Sequence, residues 1–188
     1  KLISQLSEKC DAIIVSGGLA RGMTADFYGK ILKAVPPTVI KIVDTEGDRL
    51  TEALKCGVKL VKPNLDELER TLHRKISSKQ DMLNSCRVIL DRGAECVLLS
   101  LGKKGAVITA GNKSYHCKSV NVAMNSTVGA GDGMVAAAAN ALLKGGSLKD
   151  ILRCGVAAGT AAVTLPDSIS FMKDKYEEIL SSLTVEEI

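Results

Sequence analysis

One turn of this sequence combines three small residues with an acid, in the order Gly129, Ala130, Gly131 and Asp132. Small residues let successive backbone N–H groups converge, and the helix predicted to follow presents the positive end of its dipole there. Such a turn favours a bound anion. A carboxylate at the start of that helix could accept a proton from a hydroxyl that attacks a transferring phosphoryl group. The alternative is a tight turn followed by an ordinary helix-start acid.

A second candidate site follows a predicted strand at residues 58–61, at the carboxyl edge where open α/β sheets bind ligands. It contains Lys62, Asn64 and Glu67. The oxygens of Asn64 and Glu67 could orient a hydrated Mg²⁺ that bridges nucleotide phosphates. The same two residues have the spacing of a capping box, which satisfies the amides at a helix N-terminus. The two roles are compatible.

Two further glycine-rich turns also follow predicted strands. The turn at residues 100–105 has small residues that allow its backbone to approach a nucleotide; they are Ser100, Gly102 and Gly105. The turn at residues 16–22 contains Arg21, which could meet a phosphate or could be a plain surface charge. Together, the four turns favour a phosphate-handling face.

The elements that must position these turns alternate along the chain. Short apolar runs rich in β-branched residues alternate with segments of helical period, a pattern typical of parallel strands joined by crossover helices. Strands are predicted at 12–15, 39–43, 58–61 and 96–99. Helices are predicted at 24–35 with Thr24 as cap, and at 50–54, 64–72, 80–92, 132–143, 148–164 and 173–183. Residues 106–109 and 114–117 predict a hairpin with a Gly-Asn turn.

Composition limits the class of protein. The chain has 188 residues, of which 46% are hydrophobic and 24% charged, as expected for one soluble globular domain. No apolar run reaches the roughly 18 residues of a membrane span, and no secretory signal begins the chain, so we expect a cytoplasmic protein. A net charge of +4 and 3% aromatic residues favour a small anionic substrate over nucleic acid.

The cysteines suggest no metal or disulfide chemistry. The six cysteines include no C-x-x-C pair, and the chain has only two histidines. A zinc site is therefore not expected, and we interpret the cysteines as reduced and mostly buried.

These motifs resemble those of the ribokinase-like, or PfkB, family of carbohydrate kinases. Residues 127–134 read TVGAGDGM and resemble the family's C-terminal motif. The order of the turns at 16–22, 62–67 and 100–105 is also similar to that family. Within it, the branch resembled is that of 1-phosphofructokinase and tagatose-6-phosphate kinase.

The resemblance implies a three-layer αβα sandwich with a mainly parallel sheet. It also implies ATP with Mg²⁺, and transfer of the γ-phosphoryl group to a hydroxyl of a ketose phosphate, either fructose 1-phosphate or tagatose 6-phosphate. Asp132 would be the catalytic base, and the amides from Gly129 through Ala130 and Gly131 would form the anion hole. The residues near ATP would be Lys62, Asn64, Ser100, Gly102 and Gly105, with Asn64 and Glu67 near the metal.

One position departs from the family pattern. Asn125 and Ser126 open the motif where related kinases often carry an acid before the threonine. A side-chain contribution to a monovalent-cation site is therefore in doubt. The backbone carbonyls of Ser126 and Val128 could still bind K⁺.

The resemblance spans only the later part of the family pattern, without the early sugar-contacting motif and the lid strands. Residues 1–188 are thus expected to be one kinase-domain fragment, inactive alone, with an exposed sheet edge at residues 12–15. Its partner would be a sugar phosphate, and a homodimer is a possible assembly. The alternative is a nucleotide-binding or interaction module without catalysis. A dinucleotide-binding dehydrogenase is disfavoured because no Gly-x-Gly-x-x-Gly follows the first strand.

Overall fold

A computed structural model describes residues 2–165 and 173–188. The helices are α1 (Leu2–Ser7), α2 (Asp26–Lys33), α3 (Gly47–Leu54), α4 (Leu65–Leu72), α5 (Lys79–Asp91), α6 (Ala130–Leu143), α7 (Leu148–Ala162) and α8 (Lys173–Ser182). The strands are β1 (Ala12–Ser16), β2 (Ile40–Asp44), β3 (Leu60–Val61), β4 (Val97–Ser100), β5 (Ala106–Ala110), β6 (Lys113–Cys117) and β7 (Val185–Glu187), in that order in the sheet. The α/β class predicted from the alternating pattern is confirmed.

The chain divides into two compact units, of which the first contains residues 1–99 and 109–112. Its strands β1 to β4 are parallel, in a register that places Ala12 opposite Ile40, Ile42 opposite Leu60 and Val61 opposite Val97. Parallel neighbours need a crossover connection, which α2, α3 and the pair α4 and α5 supply. All the carboxyl ends of these strands therefore point the same way.

Apolar residues of these strands and helices form the core of the first unit. Fully buried side chains include Leu32, Ile42, Leu50, Leu68 and Leu98. Burial of each such side chain contributes about 1.5–3 kcal/mol. The outer strand β1 is less covered, since it pairs with β2 at one edge and Ile14 remains 43% exposed. The exposed edge predicted at residues 12–15 is confirmed.

The second unit contains residues 100–108 and 113–188, described apart from 166–172. Strands β6 and β7 are antiparallel, with His116 opposite Glu186. Helix α7 packs against α6, α8 and β6. It begins with a capping box in which Ser147 and Asp150 bond reciprocally, as the Ser-x-x-Asp spacing predicts.

The structure corrects several sequence-based boundaries. Thr24 does not cap α2: the N-cap is Ala25, and the Thr24 hydroxyl donates to the Asp26 carboxylate instead. The strand predicted at 58–61 is shorter, with an isolated bridge from Val58 to Ala94. The sequence did not predict α1, β7 or a short 3₁₀ helix at Gly102–Lys104. Strand β7 is mostly polar and is extended because it pairs with β6.

The six cysteines are free thiols, of which Cys86, Cys96 and Cys117 are buried. Burial raises the pKa of Cys86 and Cys96 to about 12 and that of Cys117 to about 11. These three thiols therefore stay protonated near neutral pH and act as small apolar core residues. Cys10 is exposed, and Cys56 and Cys154 are half-buried, so the prediction of mostly buried cysteines holds for only three of the six.

Candidate active site

The turn at residues 129–132 starts helix α6. Gly129 is the N-cap with φ of +79°, and the Gly133 N–H donates to the Gly129 carbonyl at 2.8 Å. The amides of Gly131 and Asp132 thus precede the first i to i−4 hydrogen bond of the helix. In the part of the chain that the structure describes, no side chain caps this end. The arrangement suits an anion, which both N–H groups and the helix dipole would attract.

Asp132 lies in this first turn and is exposed. Its carboxylate is thus accessible beside amides that suit an anion. This is the local arrangement that a base needs when it takes a proton from a hydroxyl attacking a bound phosphoryl group. The catalytic role of Asp132 remains a prediction.

Close packing of α6 on α7 fixes the position of that turn. A Cβ atom on Gly159 of α7 would lie 3.2 Å from the Ala130 carbonyl oxygen. A Cβ atom on Gly133 would lie 3.5 Å from the Ala158 carbonyl oxygen. Because neither residue has a side chain, the two helix backbones approach closely. The small residues of both helices therefore position the amides as well as the acid.

The segment before the turn is tied to the end of α7. The Asn125 N–H donates to the Val163 carbonyl at 2.8 Å, and its side-chain Nδ2 donates to the Thr164 carbonyl at 2.7 Å. The Ser126 hydroxyl accepts from the Val128 N–H at 3.2 Å. The Asn125 amide thus anchors the chain, which an acid at this position could not do as a donor. The K⁺ role of the Ser126 and Val128 carbonyls stays a prediction.

The turn at residues 100–105 depends on two glycines. Gly102 has φ of +57° and Gly105 φ of +85°. The Leu101 N–H closes the turn by donating to the Gly105 carbonyl at 2.8 Å. A Cβ atom on Gly105 would lie 1.9 Å from the Cys117 carbonyl oxygen. The backbone of this turn therefore packs directly against the end of β6, with Ser100 at the end of β4 leading into it.

Lys62, in the first unit, is buried and paired. Its side chain is 5% exposed, and its Nζ lies 3.1 Å from Asp44 Oδ1 at the end of β2. A buried charge needs such a partner because removal from water is costly. The pair holds the two strand ends together, and the proximity of Lys62 to ATP stays a prediction.

Asn64 and Glu67 form the capping box that their spacing allows. Asn64 Oδ1 accepts from the Glu67 N–H at 2.9 Å, and Glu67 Oε2 accepts from the Asn64 N–H at 2.8 Å. The capping alternative is confirmed. Each oxygen can accept more than one interaction, so the donor set still fits a hydrated Mg²⁺. Among the described residues, no group of three or more His, Cys, Asp or Glu could hold a metal directly.

Substitution of Asn64 should separate the cap from the metal role. We expect Asn64→Ala to lower the free energy of unfolding by about 1 kcal/mol, because the Glu67 amide loses its acceptor. Asp is an equally good N-cap, so Asn64→Asp should unfold like the wild type in urea. If Asn64 only caps α4, Asn64→Asp should also leave the Mg²⁺ dependence of ATP binding unchanged. A shifted Mg²⁺ titration with unchanged stability would instead support a metal role.

A polar cleft of about 510 Å³ lies beside the turns that follow β1 and β2 in the first unit. It is lined by residues of the turn after β1, including Arg21, and by Glu46, Arg49 and Arg70. Glu46 binds both arginines, at 2.5 Å to Arg70 and 3.7 Å to Arg49. Sequence reasoning found Arg21 but not the other three residues. The signal that sequence reasoning could have used is the polar run after β2, which contains Glu46 and Arg49. The pairing of Glu46 with Arg70 joins residues that are 24 positions apart.

The predicted site residues thus fall into two groups. The first unit holds Lys62, Asn64 and Glu67, and it brings the last two within hydrogen-bonding distance. The second unit holds the turns at 100–105 and 126–132. Each turn exposes backbone groups of the kind that bind phosphate.

An α/β fold that carries such turns and an acid at a helix start is compatible with binding of phosphate groups. The model of the pfkB family of carbohydrate kinases matches residues 5–175. The chain belongs to that family.

Curated relatives agree with the family. The chain is 29% identical over 177 residues to 1-phosphofructokinase of Borreliella burgdorferi, covering 94% of this chain and 57% of that protein. It is 37% identical over 156 residues to ATP-dependent 6-phosphofructokinase isozyme 2 of Escherichia coli, covering 80% and 50%. It is 28% identical over 188 residues to tagatose-6-phosphate kinase of Staphylococcus epidermidis, covering 98% and 61%. The chain therefore spans about half to three fifths of these relatives.

Solved structures confirm the fold. Phosphofructokinase-2 from Escherichia coli in complex with potassium matches with a TM-score of 0.87 and 31% identity, over 95% of this chain and 61% of that one. Ribokinase of Arabidopsis thaliana matches with a TM-score of 0.80 and 23% identity, over 94% and 58%. The fold is thus ribokinase-like. Within the described residues, no helix is both long and apolar enough to cross a bilayer.

Proposed function

We propose that the protein to which this chain belongs transfers the γ-phosphoryl group of ATP to a hydroxyl of a ketose phosphate. The observation that carries the proposal is the exposed Asp132 in the first turn of α6, beside the Gly131 and Asp132 amides, in a chain of the pfkB family. Fructose 1-phosphate and tagatose 6-phosphate are the acceptors we favour, because relatives include kinases named for fructose and tagatose phosphates.

Asp132 would act as the general base of this reaction. The acceptor oxygen forms a bond to the γ-phosphorus while the bond from that phosphorus to the β–γ bridging oxygen breaks, and ADP leaves. The hydroxyl proton passes to an Asp132 carboxylate oxygen. The amides at the start of α6 would stabilise the negative charge on the transferring phosphoryl group.

Two sets of residues are the candidates for contacts with the nucleotide. The turn at residues 100–105 offers backbone groups to ATP, and Lys62 and Asn64 lie after β3 at the carboxyl edge of the parallel strands. Asn64 and Glu67 would hold hydrated Mg²⁺, which supplies positive charge to the nucleotide phosphates when bound. The carbonyls of Ser126 and Val128 are the candidates for K⁺. The proposal that K⁺ binds is supported by the similarity to E. coli phosphofructokinase-2, a structure of which is in complex with potassium.

A second candidate is a nucleotide-binding module without catalysis in this chain. Two observations favour it: the chain spans only about half to three fifths of its relatives, and β1 is the outermost strand of the sheet among the described residues. A cytoplasmic location and a homodimer remain predictions under both candidates.

Calorimetry with ATP and Mg²⁺ on this chain, followed by assays with fructose 1-phosphate and tagatose 6-phosphate, distinguishes the two candidates. We expect the chain to bind ATP and the full-length protein to phosphorylate one of the two sugars. Binding by both proteins without turnover by either would support the module. Absence of ATP binding by both proteins would contradict both candidates.

A further inference from the structure

His116 on β6 lies between two hydrogen-bond acceptors. Its Nδ1 is 3.0 Å from Glu186 Oε1 on β7, and its Nε2 is 2.9 Å from the Lys104 carbonyl oxygen. The imidazole is 22% exposed, whereas the Glu186 side chain is 71% exposed. One ring therefore links strand β6, strand β7 and the turn at residues 100–105.

The Lys104 carbonyl determines the role of one ring nitrogen. A backbone carbonyl oxygen only accepts hydrogen bonds, so Nε2 is the donor in its contact with Lys104. The bond that bears on the turn is the one from Nε2.

The turn at residues 100–105 needs support from outside itself. Its internal bonds run from Leu101 N–H to the Gly105 carbonyl, from Gly105 N–H to the Gly102 carbonyl and from Lys104 N–H to the Leu101 carbonyl, at 2.8, 2.9 and 3.2 Å. Its two glycines at positive φ lose much conformational entropy when the turn becomes ordered. Gly105 packs against the Cys117 carbonyl. His116, which precedes Cys117 in β6, bonds to Lys104, which precedes Gly105 in the turn. Two successive residues of β6 therefore hold two successive residues of the turn.

We infer that His116 is a positioning residue for the nucleotide-binding backbone of residues 100–105, acting through the Lys104 carbonyl. The inference rests on the proposed function, in which this turn contacts ATP. Glu186 orients the ring from the far side, so the C-terminal strand takes part in shaping the turn. Its contribution is the smaller one because the Glu186 side chain is 71% exposed, so solvent weakens its contact with the ring.

Two substitutions of equal chain length test this role. Met in His116→Met removes the donor, whereas the Nε2 of Gln in His116→Gln can still reach the Lys104 carbonyl. Hydrogen exchange of the Leu101 and Gly105 amides should be about fivefold faster in His116→Met, the factor that one net hydrogen bond contributes. The dissociation constant for ATP with Mg²⁺ should rise by a similar factor. In His116→Gln both quantities should stay within about twofold of the wild type.

Amides in the middle of α7 serve as the internal control, since they should exchange at the wild-type rate in both variants. Unchanged exchange of Leu101 and Gly105 in His116→Met, or equal damage in both variants, would overturn the inference. The proposed function fails separately. If the turn loosens only in His116→Met but wild-type protein does not bind ATP, the role of His116 in the turn is supported and the nucleotide role of the turn is refuted.

Discussion

Replacement of Asp132 by Asn in the full-length protein should lower kcat for sugar-phosphate phosphorylation by at least about 10²-fold. An amide keeps the size and the hydrogen-bonding reach of the side chain but cannot take up the hydroxyl proton. Because Asp132 is exposed, the free energy of unfolding should change by no more than about 1 kcal/mol, the value of a helix-start charge. The KM for ATP should stay near that of the wild type. Steady-state kinetics together with urea denaturation measure all three quantities.

Asp150→Asn is the matched control for this experiment. Asp150 lies in the first turn of α7, as Asp132 does in α6, but its carboxylate accepts from the Ser147 N–H and hydroxyl at 3.0 and 2.6 Å. The control should lose up to about 1 kcal/mol of stability through its weakened cap and keep its kcat. Near wild-type turnover in Asp132→Asn would rule out the base assignment. An equal loss of kcat in both variants would show that the effect is not specific to Asp132.

Substitution of Gly105 by Ala should destabilise the protein by about 3 kcal/mol. The new Cβ atom would lie 1.9 Å from the Cys117 carbonyl oxygen and 2.7 Å from the Ser119 nitrogen, both backbone atoms. A φ of +85° adds strain for any residue with a side chain. The turn must therefore move away from β6, and ATP binding should weaken with it. Urea denaturation followed by circular dichroism measures the loss of stability.

Gly111→Ala provides the comparison in the turn between β5 and β6. Gly111 also has a positive φ, +53°, but a Cβ atom there would meet nothing within 4 Å. The Gly111→Ala substitution should lower the free energy of unfolding by only about 1 kcal/mol, the strain of one left-handed residue. Similar losses in the two variants would mean that φ alone, and not the contact with β6, requires glycine at position 105.

Local sequence patterns predicted much of the fold. Ser78 and Ser147 cap α5 and α7 by accepting from the amide three residues on, as serine does at an N-cap, and Asn64 caps α4. Thr24 fails as a cap although its residue type is suitable, since α2 begins one residue later, with Ala25 as its N-cap. Capping depends on residues within one turn of chain. Local spacing therefore succeeds where the helix begins at the predicted residue.

Contacts between distant residues were beyond sequence reasoning. Lys62 was expected near ATP, and nothing in the local pattern indicated its pairing with Asp44, 18 positions earlier. The same holds for Glu46 with Arg70 and for His116 with Glu186. Strand β7 has a polar sequence and needs β6 as its partner. Such pairs form because strand register and helix packing bring together residues that chain spacing alone does not relate.

The amino-acid sequence by itself determined the order of strands and helices, the glycine turns and the position of Asp132 at the start of α6. These features depend on backbone preferences and hydrophobic periodicity, which act over a few residues. Only the tertiary structure decided how the turns are held. Gly133 and Gly159 bring α6 against α7, and Gly105 and His116 hold the turn at residues 100–105 against β6. The reason is physical: close packing and paired polar groups are properties of the folded chain, since they require surfaces that meet only after folding.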